Sequence, residues 1–310
     1  DAGLADNVSV GVAANIAADL AGNNNTAATT ATQAVDTAAP SAPVITGITT
    51  PNSDSTPTIT ITAEAGSTVT VYANGAVLAG NITEVSGTFT FTPTAGLPDG
   101  NYRITATAED AVGNVSAEAT VQDVVIDAVQ AGVPVIASTS LTNDTTPVIS
   151  GTAEVGSSVN VTLGSGANTS TWTVVATDGR WSIDTGVAST STAGTGHTIA
   201  VNGANAVSVT ATDSAGNVSA AATQTLTVDS AAPTVTITDD QAAVTVNGDI
   251  TFTITFSEEV SGFTASDITV ANGTAGTFTQ TSPTTYTLVV TPDAGLADNV
   301  SVGVAANIAA

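Results

Sequence analysis

The sequence predicts an all-β fold, a series of small β-sandwiches in an elongated array. Three observations predict it. Apolar residues make up 42% of the 310 positions and charged residues only 9%; with Thr and Val abundant, such a chain favours strands and lacks the low hydrophobicity and high charge of a disordered one. Apolar and polar residues alternate in short runs such as Thr58-Ile59-Thr60-Ile61-Thr62, the period of a half-buried strand. Turn signals rich in Asp, Gly, Asn and Pro recur about every 8–12 residues, and no amphipathic helix of useful length interrupts them.

In chain order, the first element is a repeat. Asp1 to Ala18 reads DAGLADNVSVGVAANIAA, and Asp293 to Ala310 reads the same. Identity without one substitution points to a tandem array cut at an arbitrary point, with a unit of about 292 residues, the offset from Asp1 to Asp293. Three segments then close alike. Asp19-Leu20-Ala21-Gly22-Asn23 leads to Val35-Asp36, Asp110-Ala111-Val112-Gly113-Asn114 to Ile126-Asp127, and Asp213-Ser214-Ala215-Gly216-Asn217 to Val228-Asp229. Each reads as strand, tight turn, strand. Two segments open alike, with Asp54-Ser55-Thr56-Pro57 and Asp144-Thr145-Thr146-Pro147 before alternating runs. A third opens differently, with Thr234-Val235-Thr236-Ile237, then Asp239-Asp240, then Thr251 to Phe256 ending at Glu258-Glu259.

Segments of about 90–100 residues with roughly seven short strands each have the pattern of an immunoglobulin-like sandwich. The expected division is 1–36, the C-terminal part of one such domain; 37–128 and 129–230, two complete domains; and 231–310, the N-terminal part of another. The first segment, with about three strands, is too small to enclose a core alone. Phe89, Phe91, Trp181, Phe252, Phe256 and Tyr286 fall at strand positions and are expected in the cores.

The charge is lopsided. There are 27 acids against two bases, Arg103 and Arg180, for a formal net charge of -25. Such a surface repels nucleic acid and anionic lipid and attracts divalent cations. No apolar run approaches the roughly 20 residues that cross a bilayer as a helix, so neither nucleic acid nor membrane insertion is expected. Cysteine is absent and cannot identify the compartment.

The acids recur at domain ends. In a seven-strand sandwich the B–C and F–G loops face the incoming linker, and the E–F loop faces the outgoing one. The first junction would gather Asp36 from the linker, Glu64 from a B–C loop and Asp110 from an F–G loop. The second would gather Asp127, Glu154 and Asp213, with Asp99 approaching from the preceding domain. The third would pair Asp229 with Glu258 and Glu259. Carboxylates and carbonyls without His or Cys suit a hard cation such as calcium, which would fix the angle between domains. The same Asp, Gly and Asn residues are also good turn formers. Both readings stand at the level of sequence.

Catalytic signatures are missing. There is no nucleophile elbow, zincin motif or P-loop. Asp239-Asp240 and Glu258-Glu259 are sequence neighbours whose side chains would diverge on a strand. The single histidine, His197, follows Gly194-Thr195-Gly196 and is expected in an exposed, flexible loop.

The runs TNDTTPVISGTAEVGSSVNV, ATDSAGNVSAAATQTLTVDSAAP and TFTITFSEEVSGFTASDITVANGT resemble bacterial immunoglobulin-like repeats of giant surface adhesins, including biofilm-associated proteins. The first two full segments look like one subfamily and the third like another. The resemblance implies an extracellular location on the bacterial surface and a non-enzymatic role: a stalk segment holding a distal binding domain away from the cell. It also implies stiffening by calcium. The expected partners are neighbouring copies of the repeat, in the same chain or head to tail; the alternative is a self-assembling fibre or sheath subunit joined by strand complementation.

Overall fold

In the computed structural model, residues 6–193, 197–241, 248–295 and 297–306 are described. Gly194 to Gly196, where a flexible loop is expected, lie outside them, as do the outer ends of the two eighteen-residue copies. The strands are short and no α-helix occurs among the described residues. The chain divides into two compact units, Asp1–Val228 and Asp229–Ala310.

The first unit opens with a hairpin. Strand β1 (Asp6–Val10) pairs antiparallel with β2 (Ala31–Val35), from Asp6↔Val35 to Val10↔Ala31. β2 is exposed along its whole length. Among the described residues of this segment there are two strands, with one further bridge, Ala18↔Asn24, beside the turn.

The next eight strands form a sandwich: β3 (Val44–Thr46), β4 (Ile59–Thr62), β5 (Thr68–Ala73), β6 (Ala76–Val77), β7 (Gly80–Val85), β8 (Thr88–Pro93), β9 (Gly100–Glu109) and β10 (Gln122–Ile126). One sheet runs β3-β4-β8-β7 and the other β10-β9-β5-β6, the immunoglobulin arrangement in which strands A, B, E, D face G, F, C. The alternation is literal in β4, where Ile59 and Ile61 are fully buried and Thr62 is exposed. Ile59, Ile61, Val71, Phe89, Phe91, Ile104 and Ile126 form its core. At the start of strand F, the Tyr102 hydroxyl donates to the Pro98 carbonyl at 2.9 Å, the tyrosine corner of this fold.

A second sandwich follows, with β11 (Val135–Ile136), β12 (Leu141–Thr142), β13 (Val148–Thr152), β14 (Ser158–Ser165), β15 (Asn168–Val175), β16 (Arg180–Asp184), β17 (Ser191–Ala193), β18 (Gly203–Thr212) and β19 (Ala222–Val228). Its sheets are β11-β13-β16 and β12-β19-β18-β14-β15-β17. The first strand switches sheets: β11 pairs with β13, then β12 runs parallel to β19. Gly151 in β13 is required by close approach, because a Cβ there would enter the Val135 carbonyl and the Trp181 ring. Trp172, Trp181, Val159, Val161 and Leu163 centre the core. At the place Tyr102 holds in the first sandwich stands Asn205, fully buried. Its side chain donates to the Leu226 carbonyl at 3.3 Å and accepts the Ala200 amide at 2.7 Å. His197 is therefore not a solvent-exposed loop residue: it is half-buried, with its ring Nε2 2.9 Å from the Asn205 Oδ1. A buried amide needs every partner it can find, and the histidine is one of them.

The second unit contains β20 (Val235–Asp239), β21 (Ile250–Phe256), a 3₁₀ turn at Ala265–Asp267, β22 (Ile268–Ala271), β23 (Gly273–Ser282), β24 (Thr285–Pro292) and β25 (Ser301–Val304). Its sheets are β20-β21-β24-β23 and the two-stranded β22-β25. Phe256, Phe263, Phe278 and Tyr286 pack together, mostly edge to face, with centroids 4.9 Å apart for Phe263 and Tyr286. The six aromatic residues expected in cores are all buried.

Candidate functional site

The recurring site is the D-x-x-G-N turn and the linker it meets. Asp213 Oδ1 accepts the amides of Ala215 and Asn217, each at 2.9 Å. Asn217 Nδ2 donates to Asp213 Oδ2 at 2.9 Å. The Asp213 and Asn217 backbones bond at 3.1 Å, and Gly216 takes a φ of +93°, the left-handed region that favours glycine. Asp110 with Asn114 repeats this arrangement, with Gly113 at +97°. Asp19 with Asn23 repeats it again. Asp, Gly and Asn each take part in closing the turn.

Hydrogen bonding perturbs the acids accordingly. At Asp110 and Asp213 desolvation raises the carboxyl pKa, but the bonds from the Asn side chain and the turn amides outweigh it and hold both below the ordinary 3.8. At Asp19 the Asn23 side-chain bond leads, and the pKa is again lowered. Donors aimed at the charged form favour it.

The asparagine does more than close the turn. Asn217 Nδ2 also donates to the backbone carbonyl of Asp127 at 2.8 Å, and Asn114 Nδ2 to that of Asp36 at 3.3 Å. One side chain therefore ties the F–G loop to the linker that enters the same sandwich. The linker aspartates turn their own chain: Asp36, Asp127 and Asp229 accept the amides of Ala38, Val129 and Ala231 at 3.0, 3.3 and 3.1 Å.

Of the acids grouped by sequence around Asp127, Asp99 and Glu154 each face an amide of the linker, and Asp213 binds its own turn. Asp99 Oδ1, from the E–F loop of the first sandwich, accepts the Ala128 amide at 2.8 Å. Glu154 Oε2, from the B–C loop of the second, lies 3.5 Å from the Gly132 amide. Glu64 occupies the B–C loop of the first sandwich, where its carbonyl accepts the Ser67 amide and hydroxyl. Glu258 follows β21 and is half-buried, and Glu259 is exposed. Among the described residues no group of three or more acids is placed to hold a metal ion.

Two residue roles escaped the sequence reading. The clamping asparagines could not be told from turn formers, because their second acceptor lies 78 or 90 residues away. Ser116 and Ser219, two residues after each asparagine, are buried and bond back to the amides of Ala108 and Ala211 at 2.9 Å. The shared Asn-Val-Ser run was their signal.

Residues 42–128 and 135–230 match one family model and residues 229–310 match a second, each described as a bacterial Ig-like domain. No curated protein matches. Similar solved structures include a marsupial T cell receptor (10% identity, 84% of this chain and 95% of the receptor, TM-score 0.41). Others are the fibronectin(III)-like modules of Clostridium thermocellum CbhA (16%, 61% and 95%, 0.37) and the titin domains z1z2 in complex with telethonin (16%, 63% and 99%, 0.24). Superpositions this loose do not bear on function. The two models together span nearly all of residues 42–310, over sandwiches whose strands and cores match the pattern, and the chain belongs to the bacterial Ig-like domain family.

Proposed function

We propose that this chain is an extracellular spacer: a stalk segment of a repetitive bacterial surface adhesin that holds a distal binding domain away from the cell. Its role is mechanical and not enzymatic. The observation that carries this reading is the repeated asparagine clamp. A chain that serves as a spacer has to control the angle at each linker. Asn114 and Asn217 tie the linkers at Asp36 and Asp127 to the sandwiches that follow. The Asp99 and Glu154 contacts add restraint at the second linker. Two complete sandwiches, 37–128 and 129–230, would sit between partial ones at 1–36 and 231–310.

Calcium belongs to this proposal as a further stiffener. The formal charge of -25 gives a divalent cation a reason to bind. Asp99, Asp127 and Glu154 accept amides of the second linker, and binding would require them to turn from those amides.

The test is genetic and optical. One copy of the repeat is deleted from the surface protein that carries it, and the distance from the envelope to a labelled tip is measured. The tip should move inward by the length of one repeat, with its ligand affinity unchanged. An unchanged distance, or direct binding of the purified 310-residue chain to the target surface, would refute the spacer reading.

A further inference from the structure

We infer that the edge of β25 is the docking site for residues 19–36 of a second copy of this sequence following in the same chain, so that one sandwich is completed across the boundary between repeats. Three independent observations support this.

The first is that one strand sequence is seen paired with two different partners. Ser9 and Val10 of β1 pair with Thr32 and Ala31 of β2. Their counterparts in the second copy, Ser301 and Val302 of β25, pair with Ala271 and Val270 of β22. Both pairings are antiparallel. With the identical strands laid over each other and one partner on each edge, the inference gives a three-stranded sheet with rows Ala271–Ser301–Thr32 and Val270–Val302–Ala31. In sandwich terms these are strands C, F and G, and among the described residues the β22-β25 sheet holds only C and F. Gly11 and its counterpart Gly303 fit the central place. A Cβ on Gly11 would lie 3.2 Å from Thr30 Oγ1, and one on Gly303 would lie 3.0 Å from Thr269 Oγ1. Directly opposed residues share a face, so the two threonines would flank the bare glycine from either side.

The second is burial. In the hairpin β1-β2 the face carrying Val8, Val10 and Val12 is open, at 58, 67 and 46% exposure. The same residues in the second copy, Val300, Val302 and Val304, are partly buried against the aromatic and aliphatic cores of the second unit. The covering surface for this face is therefore seen directly. The β2 residues that share the face are Ala31, Gln33 and Val35.

The third is the clamp. Asn114 and Asn217 donate to the carbonyls of Asp36 and Asp127, the linker residues ahead of their own sandwiches. Asn23 closes the same turn on Asp19, and the linker residue ahead of the sandwich that it would join is Asp229. Docking residues 19–36 on β25 supplies the third clamp, Asn23 of the following copy to Asp229.

The test extends the full chain after Ala310 with the sequence Asp19–Asp36, and compares it with an extension of the same residues in scrambled order. An added strand gives partners to the β25 amides that point away from β22. Hydrogen exchange across Ser301–Val304 should slow about tenfold or more in the native-order chain relative to the scrambled one, and the slowing should be independent of protein concentration. Equal exchange in the two extended chains would overturn the inference. Slowing that grows with concentration would also overturn it, because separate chains would then be supplying the strand.

Discussion

The clamp at Asn217 can be tested by Asn217→Ala. The amide makes two bonds, one to the Asp127 carbonyl at 2.8 Å and one to the Asp213 carboxylate at 2.9 Å. A net hydrogen bond is worth about 1 kcal/mol, and somewhat more with a charged acceptor. Solvent reaches Asp213, which reduces that second bond, and the asparagine is only half-buried. A loss of about 1.5 kcal/mol follows for the sandwich 135–230. For a domain of this size each kcal/mol moves the melting temperature by about 4–8 °C, so a drop of about 6–12 °C is expected. Hydrogen exchange should locate the effect at Asp127 to Val129, not in β14 or β18. Asn114→Ala should do less, because its linker bond is longer, 3.3 Å. Asn217→Asp should do more, because it sets a second carboxylate against Asp213. A melting temperature within about 1 °C of the parent, with unchanged exchange at the linker, would refute the argument that this side chain holds the junction.

Three further outcomes are expected. Gly151→Ala drives a Cβ into the Val135 carbonyl and the Trp181 ring; urea titration followed by tryptophan fluorescence should show a loss of about 3 kcal/mol, the upper end for overpacking, and a parent-like midpoint would contradict the close-approach reading. Lowered carboxyl pKa values at Asp19, Asp110 and Asp213 mean that the folded state binds fewer protons than the unfolded one, so their contribution is complete well above 3.8 and is lost as pH falls through the depressed folded values. Melting curves of Asp213→Asn should therefore fall less steeply than the parent's below about pH 4, and parallel curves would count against it. Calcium should raise the melting temperature and the mean end-to-end length, and chelation should lower both with strand content kept; identical melting and scattering curves would leave the acids as turn formers and solubilising charge.

The sequence by itself determined the strands, the cores and the turns, because each depends on residues close together in the chain. Alternation at Ile59 and Ile61 decides which face is buried. Asp, Gly and Asn at fixed offsets decide the F–G turn at Asp110 and again at Asp213. The eighteen-residue identity announced the repeat without any coordinates. What the tertiary structure alone decided is where a side chain's second bond goes. Asn114 and Asn217 look like turn residues until the fold brings the linker carbonyls of Asp36 and Asp127 beside them. Asp99 and Glu154 were expected at one junction from the sequence, but only their geometry shows that they accept the amides of Ala128 and Gly132. His197 carries no local pattern at all, and its environment is set by the buried Asn205 on a neighbouring strand. Local conformation follows from short-range sterics and periodicity, whereas the partner of a polar group depends on which distant segments packing brings within about 3 Å.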